Sequence, residues 1–219
     1  MKRSYDAEIM DDFSIQDERI DKALHELKII NKFLGGISTT KSALKYFPES
    51  ENDKLKIVDV GSGSSDNLLS AKSKYPNLQI LSIDKNLRAL SGSKNLIDRI
   101  NSDAFELPFK NNSCDIIHTA LFLHHFTEEE LQLLLLEFLR TARKGIIIND
   151  LQRSFLALWG IKILTVLFSK SEMVKNDAPL SVKRGFSKQE ILNLLEDVGA
   201  TNFVIKKKWA FRWMVVIKK

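Results

Sequence analysis

The chain has 219 residues, 44% of them hydrophobic and 28% charged. That composition suits one globular domain, or a domain with an extension, and excludes collagen-like or low-complexity chains. A lone cysteine, Cys114, excludes an intramolecular disulfide, a four-cysteine zinc site and CxxC redox chemistry. The net charge of +5 is spread along the chain and is densest at Lys206, Lys207, Lys208, Arg212, Lys218 and Lys219. That cluster reads either as the solvated edge of a sheet or as a phosphate-binding patch for nucleic acid or an anionic membrane.

The opening MKRSYDAEIMDDF has no apolar core, so no signal peptide is expected and a cytoplasmic protein is the default. Residues 16–34 place Ile20, Leu24, Leu27, Ile30 and Leu34 on one helical stripe that ends at Gly35-Gly36. A short helix over 40–47 follows, then Pro48 and a polar run over 49–53. Residues 1–50 are thus expected to form a helical arm or lid, and 51–219 a second unit. From Leu55 the pattern changes to short apolar strands at 55–60, 79–84, 97–101, 115–120 and 145–149. Helical stretches lie between them at about 66–75, 87–94 and 127–142. Strands alternating with helices predict a doubly wound, mostly parallel α/β sheet. Thr127 to Glu130 and Ser187 to Glu190 are capping boxes, and Gly199 is placed to end the second helix. The last two strand-like runs, 202–208 and 213–218, are too close for a crossover and pair as an antiparallel hairpin. Phe155–Phe168 is apolar nearly all round, yet falls short of the ~20 residues that span a bilayer. Such a helix must be covered on both sides. Its second side could meet a lipophilic acceptor, the arm, a partner subunit or a membrane surface. An acceptor pocket roofed by this helix and residues 10–13 is expected, with Trp159 as its reporter.

Three strand ends carry polar residues toward one crevice. The first strand runs into Asp59-Val60-Gly61-Ser62-Gly63, a turn that lets backbone approach a ligand, or serves only as a tight turn. Asp84 ends the second strand, where a carboxylate accepts from ribose hydroxyls or caps a helix. Asp103 follows the third, placed for an exocyclic amine or a turn. His124, His125 and Asp150 also fall at this edge and are the candidates for a general base, although the histidines could brace the loop and Asp150 could cap the next helix. Arg184 could bind an acceptor anion or lie on the surface. His25, His118, His124 and His125 show no supporting carboxylate pattern, so no metal is expected.

VDVGSGSS, LSIDKN, NSDAFELPF, SCDIIHTALFLHH and the closing hairpin resemble class I S-adenosylmethionine-dependent methyltransferases over about 54–219. Within them the chain is similar to ubiquinone/menaquinone C-methyltransferases. MDDF, INKFLGG, LFLHHF, GIIINDLQRS and APLSVKRGF resemble a bacterial small-molecule subgroup, some members of which act near type III polyketide synthases. The resemblance implies a seven-stranded sheet and S-adenosylmethionine as cofactor. It implies that Asp59, Gly61, Ser62 and Gly63 wrap the amino-acid part, Asp84 takes the ribose with Lys85 beside the adenine, and Asp103 and Ala104 take the adenine. His118 and Thr119 would pass the sulfonium. Ser65 stands where a third glycine is common. A nicotinamide enzyme fits less well, because Asp66 would repel a pyrophosphate at the helix start.

The expected reaction is methyl transfer to oxygen or carbon of an apolar aromatic, polyketide- or quinone-like molecule, with a homodimer left open and membrane contact peripheral at most. The alternatives are a nucleic-acid methyltransferase and a non-catalytic cofactor-binding module. The first lacks the Pro-Pro-aromatic tetrapeptide after the fourth strand; the second has no reason to keep Asp59, Gly61, Gly63 and Asp84.

Overall fold

The computed structural model describes residues 1–12, 14–15, 17–47, 54–91 and 97–219. Phe13, the 48–53 break and the end of the 87–94 helix lie outside them. Among the described residues seven strands form one sheet: β1 Leu55–Val60, β2 Leu78–Asp84, β3 Asp98–Asn101, β4 Cys114–Ala120, β5 Ala142–Leu151, β6 Phe203–Lys208 and β7 Arg212–Lys218. Their order is β3-β2-β1-β4-β5-β7-β6. The first five run parallel and β7 pairs antiparallel with both β5 and β6. This is the doubly wound sheet with a terminal hairpin that the strand pattern predicts. β5 is longer than its apolar run because β7 supplies ladder partners as far as Leu151.

Among the described residues there are eight α-helices: α1 Glu18–Phe33, α2 Gly36–Leu44, α3 Asp66–Ala71, α4 Leu87–Ser91, α5 Glu128–Thr141, α6 Phe155–Phe168, α7 Glu172–Arg184 and α8 Lys188–Asp197. Both capping boxes form, at Thr127 and Ser187, and Gly199 adopts φ +68 after α8. α2 begins four residues earlier than expected. Gly35, at φ +81, turns the chain where a Cβ would lie 1.9 Å from the Trp209 carbonyl oxygen. α7 was not expected at all, since Pro179 sits inside it and proline ordinarily breaks helices.

Three cores result. One face of the sheet packs on α5 and α8, the other on α2 and α3. A third joins α1, α6 and α7 beyond the sheet, through Ile20, Ala23, Ile161, Val174 and Val182. The basic C-terminal cluster does not form one patch. Arg212 is buried, Lys219 Nζ donates to the carbonyls of Leu139 and Ala142, and Lys206 and Lys218 lie over Tyr46. β6, with Lys206–Lys208 near its end, is an edge strand, the place where lysines block further pairing.

Candidate active site

A cavity of about 820 Å³ opens at the carboxyl edge of the sheet, within the ~300–1,000 Å³ of small-molecule sites. One end is made mostly of backbone. β1 stops at Val60 and the chain turns at Gly61, φ +62, where a Cβ would lie 2.0 Å from the Phe122 ring. Gly63, φ +49, has nothing within 4 Å of its missing Cβ, which leaves room for a ligand against the backbone. Its N–H donates to Asp84 Oδ2 at 2.8 Å, and Asn86 N–H donates to Oδ1 at 2.9 Å. Burial pushes the Asp84 carboxyl above its ordinary value, against these two donors. Gly61, Gly63, Asp84 and Asn86 all line the cavity. Ser65, heading α3, holds φ +54, a left-handed conformation that glycine reaches at no steric cost.

Other residues singled out at this end lie off the cavity lining. Ser62 bonds the Ser82 hydroxyl. Lys85 and Asp103 pair with each other at 2.9 Å in partly exposed positions, and Ala104 packs into the first core. Asp59, His118 and Thr119 are buried behind the wall. Asp59 and His118 are register partners on β1 and β4. Side chains alternate along a strand, so His118 shares the face of Ile116, which α2 covers. His118 Nδ1 lies 2.6 Å from Asp59 Oδ1 and its Nε2 3.0 Å from Thr40 Oγ1. The chain of bonds continues from Asn149 Nδ2 to Thr40 Oγ1 at 3.1 Å and from Arg212 to Asn149 Oδ1 at 3.2 Å. Each donor therefore points from the buried guanidinium toward the buried carboxylate.

A second part of the lining is made of side chains. A 3-10 turn, Leu123–His125, precedes α5. Asp150 holds it: Oδ2 accepts from Leu123 N–H at 2.9 Å, and Oδ1 lies 2.7 Å from His124 Nδ1. That contact fixes the proton of a neutral His124 on Nδ1. Its Nε2 is buried, has no hydrogen-bond partner among the described residues and lies 3.7 Å from Glu8 Oε1. His124 and His125 both line the cavity, whereas Asp150 sits behind them.

Glu8 and Asp11 come from the N-terminal segment, which is strapped across α7. Ile9 and Met10 N–H donate to the two oxygens of Asp177 at 2.9 and 3.0 Å. Burial pushes the Glu8 carboxyl up to about 7, with His125, Ser181 and Arg184 pulling the other way. Burial also opposes ionisation of Asp11 and Asp150, but their imidazole partners win and hold both carboxyls below the ordinary range. Asp11 Oδ1 lies 2.7 Å from His125 Nδ1 and its Oδ2 2.9 Å from the Arg184 guanidinium. Arg184 is therefore neither a surface residue nor free for an acceptor anion. It ties the strap to the His124 and His125 carbonyls. Glu8, His124 and His125 present donor atoms within 4.8 Å of one another, a grouping that could hold a metal ion. The sequence hides it because Glu8 stands far from the histidines. The Arg184 cation beside Asp11 already supplies positive charge here, which favours proton over metal chemistry in this cluster.

Residues 58–148 match the family model described as a methyltransferase domain. The match covers less than half of the chain, from β1 to β5, and S-adenosylmethionine is the cofactor held by a solved structure of the same fold. The fold is shared with the plantazolicin methyltransferase BpumL, solved with a monoazolic desmethylPZN analog and SAH (14% identity, TM-score 0.66, 92% of this chain and 89% of that one). It is also shared with magnesium protoporphyrin IX methyltransferase from Synechocystis PCC 6803 with bound SAH (15%, 0.58, 84% and 83%). A provisionally assigned O-methyltransferase from Nostoc punctiforme PCC 73102 matches at 16% identity and TM-score 0.61 over 85% of this chain, which spans only 57% of that protein. No curated protein matches the sequence.

The residues present fit the cofactor. Gly61 and Gly63 leave a cradle that a Cβ would fill or strain, and Asp84 faces the same space with acceptor oxygens. Sequence reasoning missed Glu8, Ser181 and the whole of α7. The signals were MDDF, which contains Asp11, and APLSVKRGF, which contains Ser181 and Arg184; neither pointed to Glu8 or to a helix.

Proposed function

We propose that the chain transfers the cofactor's methyl group to oxygen or carbon of an apolar aromatic, polyketide- or quinone-like small molecule bearing an ionisable hydroxyl. Leu24, Leu27 and Ile30 of α1 and Ala157, Ile161 and Leu164 of α6 line the cavity, which suits an apolar body. The polar cluster, next to Phe122 and the Gly61 turn it packs on, suits a hydroxyl held beside the cofactor. The observation that carries this reading is the buried, unpartnered His124 Nε2, on a ring that lines the cavity and is aligned by Asp150.

When bound, S-adenosylmethionine supplies an electrophilic methyl on a sulfonium, with a neutral leaving group that needs no acid. Gly61, Gly63 and Asp84 would hold it. His124 Nε2 accepts the acceptor's hydroxyl proton, and Asp150 stabilises the imidazolium through Nδ1–H. His124 touches substrate in this scheme; Asp150 is a positioning residue. The apolar walls exclude water and align the reacting groups.

Radiolabelled methyl transfer to a cell lipid extract tests the reading. Label in the lipid-soluble fraction, lost in His124→Gln with cofactor binding retained, is expected. Label in RNA instead, or tight cofactor binding with no transfer to any fraction, would defeat it.

A further inference from the structure

α6 has two apolar sides with different surroundings. Ala157, Ile161 and Leu164 face the cavity. Phe155, Leu156, Trp159, Ile163, Val166 and Leu167 are each more than half exposed and share the opposite side at helical spacing. Six large apolar side chains in one exposed stripe exceed the scattered apolar residues of an ordinary surface. No acidic residue occurs between Asp150 and Glu172. The cations along the stripe are exposed: Lys162 stands over the Trp159 ring, and Lys170 follows the helix, neither in an ion pair among the described residues. Exposed Lys2 lies near the other end, where Arg153 donates to the Met1 carbonyl. The carboxylate near Lys170, Glu26, is engaged by the Ser169 hydroxyl and the Lys170 N–H. Gly160, at the margin of the stripe, is exposed, lines the cavity, and has nothing within 4 Å of its missing Cβ. The cavity therefore reaches the surface beside this face.

We propose that the outer face of α6 seats on an anionic membrane surface, and that the acceptor enters the cavity from that surface beside Gly160. An apolar stripe edged by unpaired lysines has the composition of an interfacial helix, in which lysines reach the headgroups while the rings sit below them. The entry route rests on the lipophilic-acceptor reading; the docking does not.

Sedimentation with sucrose-loaded vesicles tests the docking. The full chain is expected to bind phosphatidylcholine vesicles containing about one-third phosphatidylglycerol at least about tenfold more tightly than pure phosphatidylcholine. Binding should shift tryptophan emission to the blue, and the shift should shrink in Trp159→Phe. Leu156→Glu should weaken binding by about tenfold or more, and Lys162→Glu by about fivefold or more, with cofactor affinity unchanged. No vesicle binding by the unaltered chain, or binding indifferent to both substitutions, overturns the docking. A dimer that Leu156→Glu disperses and that binds no vesicles overturns it too. Gly160→Leu should slow transfer to a bilayer-dissolved phenol severalfold while vesicle binding persists; an unchanged rate overturns the entry route. If cofactor binding and transfer to a detergent-dispersed phenol survive while vesicles are ignored, the docking fails and the proposed reaction stands.

Discussion

Two histidine–aspartate pairs stand at the carboxyl ends of neighbouring strands, and they differ in what the second ring nitrogen meets. His118 and His124 each hold a carboxylate through Nδ1, at 2.6 and 2.7 Å. His118 spends its Nε2 on Thr40, inside a fully connected chain that ends at Arg212. His124 leaves its Nε2 unbonded, on a ring that lines the cavity, with Glu8 Oε1 3.7 Å away and His125 beside it. A satisfied buried network rigidifies a fold. An unsatisfied buried nitrogen is costly unless a ligand completes it. The first pair is therefore built into the fold, and the second is the one that the proposed reaction uses.

Substitution at the two rings is the sharpest way to break this contrast. His124→Gln is expected to lower the turnover rate by ~10²–10⁴ while calorimetry finds cofactor affinity nearly unchanged. Asp150→Asn should lower it less, and shift the pH profile of the rate, because it frees the tautomer rather than removing the base. His118→Leu should spare turnover at low temperature but destabilise the protein by ~3–5 kcal/mol, since it leaves Asp59 buried without its partner. Thermal unfolding would register this as a drop of roughly 10 °C, and adding Asp59→Asn should restore part of it. Comparable turnover losses from both single changes would erase the distinction.

The contrast also explains what the sequence could and could not reveal. The sheet was legible because IVDV, ILSID and GIIIN are continuous apolar runs, and the Gly61 turn because its residues are local. The orientation of His118 was not, since it depends on strand parity with Ile116 and on α2 reaching over it. α7 was hidden by Pro179, which the tertiary contacts of Val174, Ala178 and Val182 override. Glu8 and Asp11 were hidden because their partners come from the Leu123–His125 turn and α7, distant in sequence. Trp159 was expected to report on the acceptor; it is 63% exposed and points away from the cavity.

The strap's carboxyl offers a second way to sharpen the comparison, through pH. Glu8 titrates near 4.5 when unfolded and at about 7 when folded. A carboxyl raised by folding contributes its stability below the lower value and loses it as pH rises through the upper one. Glu8 should therefore make the protein less stable between pH ~5 and ~7, by on the order of 3 kcal/mol. The groups facing it are His124, His125, Asp11, Ser181 and Arg184. Glu8→Gln should flatten this decline, gaining stability at pH 8 with little change at pH 5, as urea midpoints would show. An unaltered pH dependence would mean that Glu8 is ionised throughout.

The smallest effect comes from Ser181, whose single hydroxyl proton has two acceptors in reach: Glu8 Oε1 at 2.8 Å and the Asp177 carbonyl at 3.0 Å. When Glu8 is ionised the charged oxygen is the stronger acceptor. When Glu8 is protonated the carbonyl can take the bond instead, as serine commonly does within a helix. Ser181→Ala should therefore cost about 1 kcal/mol above pH ~7, where a buried anion loses its donor, and less near pH 5. It should also move the Glu8 transition upward, because the lost bond favoured the anion. A loss independent of pH would instead show that the hydroxyl serves only the Asp177 carbonyl, leaving the Glu8 charge to Arg184 and His125.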